Sequence, residues 1–108
     1  MTTNLQELGK RVAVAMGWRE ALFHKGAWFE DHAGSEVISH NNPSDPAECF
    51  KLCAEFDVWP VCDRECTWVF CNRNVMAIEH DNTPTSRLNA AIEAALLAVE
   101  LIVKEGER

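Results

Sequence analysis

The sequence predicts an α+β fold, an α-β-α sandwich in which a mostly antiparallel sheet of about five strands lies between helical layers, in the order αββαβββα. Three observations carry this. Two segments have helical apolar periodicity and begin at cap-and-proline signals. Several short runs between them are rich in Val, Ile, Phe, Trp and Cys and are separated by polar turns. Those runs are apolar on both alternate faces, whereas an antiparallel sheet with one wet face alternates apolar with polar. A sheet covered on both sides follows.

The first helix is expected over Thr3 to Met16. Leu5, Leu8, Val12, Ala15 and Met16 form a stripe at helical spacing, with Glu7, Lys10 and Arg11 opposite. Gly17 stops it and Trp18 follows as an anchor. Two strands are expected next, Ala27–Asp31 and Glu36–His40, around the turn His32-Ala33-Gly34-Ser35. After the loop Asn41-Asn42-Pro43-Ser44, Asp45 is placed to cap a helix with Pro46 at its first position and Glu48 three residues after the cap. This helix reaches Phe56. Cys49, Phe50, Leu52, Cys53 and Phe56 make its apolar face, and Glu48, Lys51 and Glu55 face water.

Three strands follow, Val58–Cys62, Cys66–Cys71 and Val75–His80, with Asp63-Arg64-Glu65 and Asn72-Arg73-Asn74 as turns. Pro60 assigns its strand to an edge. Pairing Cys62 with Cys66 and Cys71 with Val75 puts Trp68, Phe70, Met76 and Ile78 on one face. It puts Thr67, Val69, Cys71 and Val75 on the other. The last helix begins at Thr83-Pro84 and runs to Lys104. Leu88, Ile92, Ala95, Leu96, Val99 and Ile102 form one apolar stripe, which can cover the sheet. Ala90, Ala94, Leu97, Ala98 and Leu101 form a second stripe with no evident cover inside one chain. A homo-oligomer contact through this second stripe is therefore expected.

The 108 residues suit a single domain spanning 1–108. Charge is −7 and uneven: Glu30 to Asp57 holds seven acids against one base, Lys51. Duplex nucleic acid is not an expected partner, because binding its phosphates needs a basic surface. No apolar run approaches the ~20 residues of a membrane span, and the polar stretch Met1 to Lys10 has no signal-peptide character. The cytoplasm is the expected compartment, where the five cysteines are expected to be reduced thiols.

Cys49-x3-Cys53 and Cys62-x3-Cys66 have spacings that zinc could use. However, Cys49 and Cys53 fall on an apolar helix stripe, and Cys66 and Cys71, five apart on one strand, point to opposite faces. No metal or other cofactor is expected. A Cys–His nucleophile could be assembled from Cys62 or Cys71 with His80, but five cysteines and four histidines make chance pairs easy. No phosphate-binding loop, zinc-protease motif or nucleophile elbow is present, so the chain is not read as an enzyme. Arg64 and Arg73 at hairpin tips can fork onto phosphate. Trp28 and Trp59 can stack on a ring. These four residues are the candidate site for a small anionic ligand.

The segments Val14-Ala15-Met16-Gly17-Trp18, Gly26-Ala27-Trp28-Phe29, Cys66-Thr67-Trp68-Val69-Phe70, and Thr83-Pro84 followed by the Ala-rich stretch Ala90 to Val99 resemble the phage ABA sandwich domain family. The resemblance spans about Leu5 to Val103. It implies a helix-sheet-helix fold, a phage origin and the host cytoplasm, and it carries no catalytic residues to transfer. By analogy of origin it suggests an accessory binding module, such as an anti-defence sponge for a cyclic-nucleotide immune signal. The alternatives are a protein that binds and blocks a host protein, using the acidic segment, or a hydrolase of a nucleotide signal.

Overall fold

A computed structural model of the chain describes residues 4–21, 27–31, 37–71 and 74–106. Helix α1 (Leu5–Ala15) opens on Asn4, whose Oδ1 accepts the Gln6 and Glu7 N–H groups at 3.1 and 3.3 Å. It closes at Gly17, which takes a left-handed φ of 86°. The Trp18 N–H then reaches back to the Ala13 carbonyl at 3.0 Å, so a glycine-terminated helix end aims Trp18 inward. Helix α2 (Pro46–Phe56) is capped by Asp45 and helix α3 (Pro84–Lys104) by Thr83, each followed by the proline that the cap motif favours.

The strands form two antiparallel three-stranded sheets rather than one sheet of five. The first is β1 (Arg19–Glu20), β2 (Ala27–Asp31) and β3 (Val37–Asn41); the second is β4 (Val61–Cys62), β5 (Cys66–Cys71) and β6 (Asn74–Glu79). The order is thus αβββαβββα. Strand β1 escapes a sequence reading because two residues are too few to show an alternation. It exists because Arg19 and Glu20 pair with Phe29 and Trp28.

The second sheet corrects the expected register by one residue in each hairpin. Cys62 pairs with Thr67, not Cys66, and Cys71 pairs with Asn74, not Val75. A one-residue slip sends every side chain to the other face. Thr67, Val69 and Cys71 face inward and are buried, and the slip brings the half-buried Met76 and Ile78 to their face. Trp68 and Phe70 share the outer face with Val61, Val75 and Ala77. That outer face is not covered by a helical layer: Phe70 is 66 % exposed and Val75 58 %.

Helix α3 is the centre of the core and has neighbours on three sides. Ile92 and Ala95 share a groove with Cys49 and Cys53 of α2. Glu100 receives Arg11 of α1 through two hydrogen bonds of 3.0 and 2.6 Å. The stripe of Ala90, Ala94 and Ala98 turns toward the second sheet, where the Cys71 thiol donates to the Ala98 carbonyl at 3.5 Å. These alanines are buried inside one chain, with Leu97 and Leu101 half-buried beside them. The stripe expected to join subunits instead packs on the protein's own sheet. The opposite stripe, expected on the sheet, faces α2. Alanine suits this side because a small side chain lets the sheet backbone approach. No described helix is long and apolar enough to cross a membrane.

Candidate functional site

The four residues expected to hold an anion are not brought together. Trp28 is 2 % exposed and sits in the first sheet opposite His40, so it has no surface to offer a ligand. Trp59 is exposed between α2 and β4, with its ring 6.0 Å from that of Phe50. Arg64 is exposed in the β4–β5 turn between Asp63 and Glu65, two acids that counter its charge. Arg73 lies outside the described residues.

The first sheet instead builds a polar cluster that the sequence reading missed. His40 Nε2 lies 3.0 Å from Glu30 Oε2, and His40 Nδ1 lies 3.4 Å from Glu48 Oε2. Glu48, expected to face water, is 3 % exposed. Its other oxygen accepts the Asn41 N–H at 2.8 Å, which ties the start of α2 to the end of β3. The Trp18 and Trp28 indole N–H groups are buried with no partner among the described residues. Two of the seven acids in the acidic segment thus serve a half-buried histidine instead of a solvated face. A histidine and two glutamates would suit a metal, yet among the described residues no three such side chains are placed to hold one.

The cysteines divide between core and groove, and all five are free thiols. Cys49 and Cys53 stand one turn apart on α2 and hydrogen-bond to each other. Donation from Cys49 holds the Cys53 thiol below its ordinary range, against the opposing effect of burial. The same bond, and then burial, pushes Cys49 up. Both line an apolar groove of about 270 Å3 between α2, β4 and α3, together with Phe50, Trp59 and Cys62. Phe50 was expected in the core but stands at the rim of this groove, because the helix turns Cys49 and Cys53 inward.

Cys62 is exposed and connects to His80 through one intervening side chain. Thr67 Oγ1 donates to Cys62 Sγ at 3.3 Å and lies 2.9 Å from His80 Nε2. His80 Nδ1 lies 2.9 Å from the Asp81 carbonyl oxygen. His80 also lines a second cavity, about 630 Å3, beside the β6 edge with Glu79, Ser86, Asn89 and Glu93. The register that separates Cys62 from Cys66 is what brings Cys62 beside Thr67. The Cys62–His80 combination was visible as residue types, but its Thr67 bridge depends on pairing across two hairpins.

Compared with family models, curated proteins and solved structures, the chain matches none.

Proposed function

We propose that the chain is a protein-binding module whose docking surface is the outer face of the β4–β5–β6 sheet, and that this face takes a second copy of the chain. The bareness of the face carries the reading. Phe70, Val75 and Val61 (48 % exposed) come from three adjacent strands and surround the half-buried Trp68. Glu79, at one end of β6, is the face's charged residue. An aromatic-rich centre poor in charge is the composition of an interface core. Monomers rarely leave such a patch open unless it has a use. A twofold axis needs one self-complementary patch, and a face this poor in charge offers little to select a different partner.

The anion-capture reading has less support, because Arg64 is flanked by two acids and among the described residues no other candidate joins it. The resemblance to small phage proteins favours a host cell as the setting. Sedimentation velocity at about 50 μM, within the micromolar range of ordinary associations, tests the docking surface. The parent is expected to be a dimer and the Phe70→Glu, Val75→Glu double variant a folded monomer. A monomeric parent overturns the reading.

A further inference from the structure

We infer that Cys62 is a nucleophilic thiol that accepts a short apolar acyl group from an activated ester or thioester, with His80 taking its proton through Thr67. The inference is independent of the docking face and rests on three features around one sulfur atom.

The first is a continuous hydrogen-bonded path. Cys62 Sγ to Thr67 Oγ1 is 3.3 Å and Thr67 Oγ1 to His80 Nε2 is 2.9 Å. The second is the fixed orientation of the base. The Asp81 carbonyl, 2.9 Å from His80 Nδ1, can only accept, so it holds the ring proton on Nδ1 and leaves Nε2 as the proton acceptor. The third is access on one side with enclosure on the other. Cys62 is exposed, whereas Thr67 is fully buried, so water does not compete for the hydroxyl.

Thr67 has one hydroxyl proton and two neighbours that can receive it. With that proton turned toward His80 Nε2, the oxygen can accept the Cys62 S–H. Passing both protons along the path leaves a thiolate on Cys62 and a doubly protonated His80. The Thr67 hydroxyl then points at the sulfur. This is an activated nucleophile with an adjacent base, extended by one hydroxyl.

The acyl group's chemistry follows from the groove. Cys62 lines the apolar space of about 270 Å3 with Phe50, Trp59, Leu88 and Ile92. That volume falls just under the ~300–1,000 Å3 of drug-sized sites, so a short aliphatic or aromatic acyl chain fits it. In the step, the Cys62 sulfur forms a bond to the acyl carbonyl carbon. The bond from that carbon to the departing oxygen or sulfur breaks. The departing group takes a proton from His80 along the same path. The products are S-acyl Cys62 and a free alcohol or thiol, with no oxidant or reductant required.

Hydrogen bonds that merely satisfy a buried threonine would look the same in a static structure, so the test must move what packing does not. The protein is treated with 4-nitrophenyl butyrate, and the label is located by intact mass and peptide mapping. One butyryl group on Cys62 is expected, and none there in Cys62→Ser. Thr67→Val keeps the shape and removes the relay, so labelling should slow at least about tenfold, a threshold set below the ~100-fold low end of general-base effects. Thr67→Ser should restore it. His80→Ala should slow it similarly, with added imidazole accelerating that variant more than the parent. Circular dichroism establishes that each variant is folded, and if Thr67→Val fails to fold, the His80→Ala imidazole comparison decides. Labelling on another cysteine, or parent-rate labelling of folded Thr67→Val or His80→Ala, overturns the inference.

Discussion

The Trp18 ring lies flat on the His40 ring, with centroids 3.8 Å apart and planes 1° from parallel. The contact joins the end of α1 to β3. It also closes one side of the cluster in which Glu30 and Glu48 approach the two ring nitrogens of His40. Removing the buried Glu48 carboxylate strips the Asn41 N–H and His40 Nδ1 of a shared partner. Glu48→Ala should therefore destabilise the fold by about 1–3 kcal/mol in urea unfolding, the usual cost of a buried group left unpaired. Glu48→Gln should cost less, since its amide oxygen can still accept the Asn41 N–H. Equal losses for both variants would show that the Asn41 bond adds nothing.

Gly9 lies in the middle of α1, where alanine would ordinarily gain about 1 kcal/mol of helix propensity. Here the 42–44 loop crosses the helix at that point. A Cβ on residue 9 would run into the Asn42 side chain and stand 2.8 Å from the Ser44 backbone nitrogen. That loop is held by Asn42, which accepts the Ser44 N–H at 2.8 Å and donates to the Gln6 carbonyl at 3.3 Å. Gly9→Ala should therefore destabilise, by roughly 1–3 kcal/mol, as overpacking does. A more stable variant in thermal or urea melts would mean that the loop yields.

The outer and inner faces of β5 differ in a way that two truncations can test. Val69 is fully buried and Phe70, its neighbour, is largely exposed. Val69→Ala should cost about 2–3 kcal/mol, as a core truncation does. Phe70→Ala should stay within about 0.5 kcal/mol when measured dilute enough to hold the chain monomeric. The reverse ranking would mean that β5 turns its other face toward α3.

The paired thiols on α2 make a prediction for pH. Cys53 ionises before Cys49 because the Cys49 S–H stabilises the Cys53 thiolate. Cys49→Ala removes that donor and leaves burial, which opposes the charged form. The Cys53 ionisation should move to higher pH, followed by the carbon-13 shift of labelled cysteine Cβ. A shift to lower pH in the variant would contradict the direction of the bond.

All three described helices and five of the six described strands can be read from the sequence, because their signals act within a few residues of the chain. Asp45-Pro46 and Thr83-Pro84 start helices wherever they occur, and Gly17 supplies a left-handed residue where α1 must stop. Runs of Val, Trp, Phe and Cys make strands by their own preference. What no local signal specified was which residue faces which. The hairpin register rests on single pairings such as Cys62 with Thr67, and a slip of one inverts the faces. That slip moved Met76 and Ile78 to the buried face of Thr67 and Val69 and set Cys62 on the path to His80. The burial of Glu48 beside His40 depended on the start of α2 meeting the end of β3. The use of α3 was likewise decided by the whole structure. A helix apolar nearly all round states that it will be surrounded, but only the packing of α1, α2 and the sheet on its three sides determined that the alanine stripe is covered from within.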